Sequence, residues 1–109
     1  MDGFDLIVNR ILDDGRYVVT NNGPDISVGA SLQQVTIRRG QEVDASLQTG
    51  VEIIASVNLT LQTADIYREA VGMVPRGWSA AISFVGLGGE LLAKALTDKG
   101  EGDRLHLIG

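Results

Sequence analysis

Cysteine is absent from this 109-residue chain and histidine occurs once. No disulfide framework, thiolate nucleophile or cysteine metal site can form, and a single His cannot assemble a zinc site. Lysine occurs only as Lys94 and Lys99, and neither stands in the G-K-[ST] frame of a phosphate-binding P-loop. GTP hydrolysis is thereby excluded. No stretch approaches the roughly 20 consecutive apolar residues of a membrane span. The start, MDGFDLIVNRILDDGR, carries an acid where a secretory leader has a basic region. The expectations are no metal, no cofactor, no membrane and the cytoplasm as compartment. The sequon Asn58-Leu59-Thr60 has no secretory signal to give it meaning.

What is present is ordinary globular material, with 44% hydrophobic and 21% charged residues. The length fits one core, so residues 1–109 are expected to form a single domain. The net charge is -5, which repels phosphate backbones and makes nucleic acid a disfavoured partner unless a local basic patch overcomes it.

The hydrophobic pattern is that of strands. Phe4 to about Leu12 and Tyr17 to Thr20 flank Asp13-Asp14-Gly15, a hairpin turn signal. Asn21-Asn22-Gly23-Pro24 marks a second turn before a short strand at Asp25 to Val28, and β-branched residues make Leu32 to Arg38 another strand. Val57, Leu59 and Leu61 alternate with Asn58, Thr60 and Gln62, the mark of a half-buried strand that continues upstream to Val51. Asp44 to Thr49 reads as a loop or an edge. Asp65 to Val71 has helical character, with Ile66, Tyr67 and Ala70 on one side. Pro75-Arg76-Gly77 turns into a strand at Trp78 to Val85, in which Ala80, Ile82 and Phe84 share a face. Gly86-Leu87-Gly88-Gly89 breaks that strand as a hairpin turn or bulge. Glu90 to Leu96 is ambiguous between helix and strand and is assigned to strand by its context, and Arg104 to Ile108 is a last short strand. The expected fold is all-β, a small closed or partly open antiparallel β-barrel with at most one short helical turn.

Three of these segments have an order seen elsewhere. Phe4-Asp5-Leu6-Ile7-Val8 leads into Gly15-Arg16-Tyr17-Val18-Val19-Thr20, then Asp25-Ile26-Ser27-Val28-Gly29-Ala30-Ser31-Leu32. This resembles the β-barrel that follows the GTPase domain in translational GTPases, domain II of elongation factor Tu and its relatives, where F-x-L-x-V is followed by G-R-G-x-V-V-T-G and G-x-I-x-V-G-D-x-L. Val57 to Tyr67 and Val74 to Ile82 resemble that family's later paired strands, with Gly86 as the closing glycine. Tyr17, Asn21 and Ala30 depart from the family pattern. The resemblance implies a translation-factor type of barrel, and in that family the stretch corresponding to Asp65-Ile66-Tyr67-Arg68 helps hold the aminoacyl end of tRNA.

No catalytic constellation accompanies these strands, and no enzyme is expected. His106 alternates with Leu105 and Leu107 and is expected to face solvent. Gly86 to Leu91 lacks the third glycine and the βαβ setting of a dinucleotide loop. Asp13 and Asp14 are expected to point into water. Arg38-Arg39, with Arg68 and Arg76, would make an anion site if the fold gathered them, and otherwise forms a solvated strand end. Trp78 and Tyr67 are the aromatic candidates for a contact face. The expected function is a non-catalytic binding module contacting a protein, or an RNA end, through Tyr67, Arg68, Arg76 and Trp78. The alternatives are a self-associating structural or assembly protein using a neutral polar loop around Gln41 to Thr49 and exposed strand edges, and an acidic inhibitor or immunity-type protein for a basic partner.

Overall fold

A computed structural model describes residues 3–38, 51–100 and 102–109 of the chain. Its strands are β1 (Asp5–Ile11), β2 (Tyr17–Asn21), β3 (Ile26–Ser27), β4 (Ser31–Arg38), β5 (Val51–Ile66), β6 (Glu69–Val71), β7 (Met73–Val74), β8 (Ser79–Leu87) and β9 (Arg104–Ile108), with one helix, α1 (Gly89–Asp98). The main sheet runs β4-β9-β1-β2-β8-β5-β6, and β4 also pairs with β5. Every pairing is antiparallel. Six strands thus close a ring, with β6 outside it, and β3 and β7 pair separately. The all-β, barrel-like architecture expected from the sequence is what forms.

Alternation builds the core. Leu6 and Val8, Val19, Leu59 and Leu61, Ile82, and Leu105 and Leu107 all lie at 2% exposure or less inside the ring. Each such side chain withdrawn from water contributes roughly 1.5–3 kcal/mol. The pair Ile26 and Val74 in β3 and β7 is equally buried.

Two segments differ from expectation. Glu90–Leu96 belongs to α1, a helix of 10 residues rather than a strand and longer than one turn. Leu92, Ala95 and Leu96 recur at helical spacing and pack on the core, while Lys94 and Asp98 form an exposed i,i+4 pair at 2.7 Å. The Gly86–Gly89 run is accordingly a strand-to-helix junction and not a hairpin turn. Gly88 caps the helix with φ 100. Asp65–Val71, in turn, is no helix: β5 continues to Ile66 and folds back as β6. The alternation of a 16-residue strand overrides a short local stripe. The segment Asp44 to Thr49, and with it Gln41, lies outside the described residues.

Gly86 is fixed by close approach. Its φ is +127, and a Cβ there would stand 2.1 Å from the Asn58 carbonyl oxygen. Gly86→Ala is expected to cost about 3 kcal/mol or more through strain and displacement of β5. Gly89→Ala, in open space within α1, should be neutral or stabilise by up to about 1 kcal/mol. Urea unfolding of both variants measures the difference.

Candidate binding cleft

The outer face of the ring carries a cleft because two β-bulges reverse the alternation there. Val8 pairs with Val19 in the core, but the register then skips Asn9 and sets Arg10 opposite Val18. Without that extra residue Arg10 would point inward with Leu6 and Val8. On β5 the register skips Gln62, so Thr63 faces Ser83 and Asp65 faces Ala81, outside, while Ala64 faces Ile82 in the core. Register therefore lays Arg10, Val18, Ala81 and Asp65 across β1, β2, β8 and β5 as one row. The short side chains of Ala81 and Ser79 make its floor low, and the whole depression has a volume of about 920 Å³.

Arg16, on the turn before β2, ties the floor together. Its Nε donates to Asp14 at 2.8 Å and its Nη1 to Asp65 at 2.5 Å. The Arg16 backbone N–H and guanidinium hold the Asp14 carboxyl below the ordinary carboxylate range. Arg10 and Arg68 also line the cleft, and among the described residues no carboxylate pairs with either.

The walls are turns. Tyr67 and Arg68 form the two-residue loop of the β5–β6 hairpin with φ 52 and 67. Two consecutive positive φ values define a type I′ turn, which Asn-Gly normally fills. Tyr and Arg hold that conformation at a cost of roughly 1–2 kcal/mol per residue. Tyr67 is 90% exposed there. Trp78, 49% exposed, follows the turn Pro75-Arg76-Gly77, in which Gly77 has φ 85 and the Trp78 N–H reaches the Pro75 carbonyl at 3.1 Å. The Asn21 backbone clamps that turn to β2, donating to the Trp78 carbonyl at 2.9 Å and accepting from Gly77 at 2.7 Å. Asn21 is itself buried, its side chain donating to the carbonyls of Pro24 and Val74 and accepting from the Gly23 N–H. Asn21 thus anchors the neighbouring loops.

Of the residues singled out from sequence, Tyr67, Arg68 and Trp78 meet in this cleft. Arg76 sits exposed in the adjoining turn, where its backbone N–H donates to Asp25 Oδ1 at 3.0 Å, and it does not line the cleft. The grouping of Arg38 with Arg68 does not form. Arg38 pairs with Val51 at the start of β5, whereas Arg68 follows its far end. Arg39 lies outside the described residues. Arg10 and Arg16 are the members missed from sequence, and the polar break Asn9-Arg10 in an apolar run was the available signal.

His106 departs from expectation. Its ring turns away from Leu105 and Leu107, yet it is only 6% exposed, between β1 and β4 and opposite Ile7 and Thr36. Its Nδ1 lies 2.6 Å from Asp5 Oδ1, which makes Nδ1 the donor, and its buried Nε2 finds no partner among the described residues. Burial works to raise the Asp5 pKa, but hydrogen bonds from His106 and Asn22 and the nearby Arg38 charge outweigh it and hold the carboxyl below 3.8. Among the described residues no three metal-ligating side chains converge, and no helix is long and apolar enough to cross a membrane.

Replacing Tyr67-Arg68 by Asn-Gly is expected to stabilise the protein by about 1–2 kcal/mol, read by urea unfolding, because the turn conformation then suits its residues. Asp5 supplies a pH dependence of defined sign. Its folded-state pKa lies below the unfolded one, so its contribution is complete above about pH 4 and is lost as pH falls through the folded value. Asp5→Asn should flatten the acid limb of a stability-against-pH profile.

No family model, no curated protein and no solved structure matches this chain.

Proposed function

We propose that the protein is a non-catalytic, cytoplasmic binding module of the translation-factor barrel type, which contacts a partner protein through the cleft on β1, β2, β8 and β5. The observation that carries this reading is the convergence, on one concave face of an acidic protein, of two exposed aromatic rings with two guanidiniums lacking a described carboxylate. Aromatic and arginine side chains supply most contact energy in protein interfaces, since they bring large area and directional hydrogen bonds together. The strained turn supports it as well. Conformational cost held at an exposed tip is characteristic of residues kept for what they touch.

A second reading has its own observation. Val85 and Leu87, opposite Thr60 and Asn58 on the outer face of β8, are 45% and 75% exposed, an apolar strip suited to pairing with another copy.

Light scattering across a concentration series separates the two. A constant mass near 11.6 kDa is expected for the binding module, and a concentration-dependent mass reduced by Leu87→Ser would favour self-association. In affinity capture, a partner retained by wild type should be lost with Trp78→Ala and kept with Leu87→Ser. Equal retention by both variants would place the contact elsewhere.

A further inference from the structure

We propose that the cleft takes an extended acidic segment of its partner, with a carboxylate held by Arg10 and Arg68 and a neighbouring apolar side chain laid against Trp78 and Tyr67. This rests on the cleft being the contact face and adds what it contacts. Charge selects the ligand. Arg16 is committed to Asp14 and Asp65, whereas among the described residues no carboxylate pairs with Arg10 or Arg68. A guanidinium offers a planar fork of N–H donors that matches a carboxylate with two parallel bonds. The rings beside them provide rigid apolar area at low entropic cost.

The same inventory disfavours other occupants. A single-stranded nucleic acid presents a phosphate at every step and needs a track of cations along its path. Here two arginines without a carboxylate partner among the described residues stand on a cleft whose floor includes Asp65, within a chain of net charge -5. A basic segment would meet Arg10 and Arg68 head on. The rim adds an independent argument, because Arg68 is one of the two residues held in the left-handed turn at a conformational cost. An Asn-Gly pair would make the same hairpin more cheaply but would remove both the ring and the charge.

Trp78 is the only tryptophan, so its emission reports directly on the cleft. The full chain is titrated with a capped hexapeptide of four glutamates flanking Leu-Phe, with its glutamine and lysine counterparts, and with a six-nucleotide oligouridylate. The acidic peptide is expected to shift Trp78 emission saturably and to bind about tenfold more tightly than the glutamine peptide. Arg10→Gln and Arg68→Gln should each remove about that advantage, added salt should weaken it, and Leu87→Ser should leave it intact. Equal binding of glutamine or lysine peptides would overturn the acidic ligand while leaving the cleft as the contact face. Tighter binding of the oligouridylate, lost with Arg68→Gln, would overturn the protein ligand in favour of RNA. If no probe moves Trp78 emission, or the cleft resonances in an amide spectrum, both the acidic ligand and the cleft as contact face are overturned.

Discussion

Closing six antiparallel strands into a ring obliges each of them to send alternate side chains into a shared interior and the rest outward. A shift of one residue in any strand would exchange its two faces, so the apolar sets of β1, β5, β8 and β9 hold one another in register. Within that constraint, an extra residue in one strand is the means of sending a residue of inward parity out to the surface. The bulges at Asn9 and Gln62 do this for Arg10 and Asp65. The polar face therefore follows from how the core is closed.

Once Asp65 faces outward, its neighbours fall into a consistent arrangement. Arg16 reaches it from the β1–β2 turn and completes a charge network with Asp14. The salt bridge is partly exposed and contributes little to stability, on the order of 1 kcal/mol or less. Its larger effect is to occupy Asp65, so that among the described residues no carboxylate pairs with the two other arginines of the cleft. The hairpin that continues past Asp65 then lifts Tyr67 and Arg68 over the same floor.

Two polar side chains support this from within. Asn21 satisfies both ends of its buried amide on the backbone of the β2–β3 and β7 segments, so that the Trp78 turn is held by main-chain bonds to β2. Buried amides partnered in this way fix geometry, because leaving one group unpaired would cost about 1–3 kcal/mol. His106 and Asp5 play the corresponding part where β9 meets β1. There one ring nitrogen has no partner among the described residues.

The sequence by itself determined most of the strands, the turns at Asp13-Gly15, Asn21-Pro24 and Pro75-Gly77, and much of the interior. The alternation of Val57, Leu59 and Leu61, the Asp-Gly and Asn-Gly-Pro punctuation, and the strand at Arg104–Ile108 are local patterns with local physical causes. Trp78, named from the sequence as an aromatic candidate for a contact face, is half exposed. Only the tertiary structure decided the helix at Gly89–Asp98, the hairpin at Tyr67-Arg68, the burial of His106 and the outward turn of Arg10. A short apolar run fits either helix or strand until a partner surface selects one, and a central strand covers a residue that its own neighbours would leave exposed. A bulge shows in the sequence only as a break in the alternation, as at Asn9-Arg10, and the break cannot be told from a strand end because the extra residue is defined by the strand opposite, which lies far away in the chain.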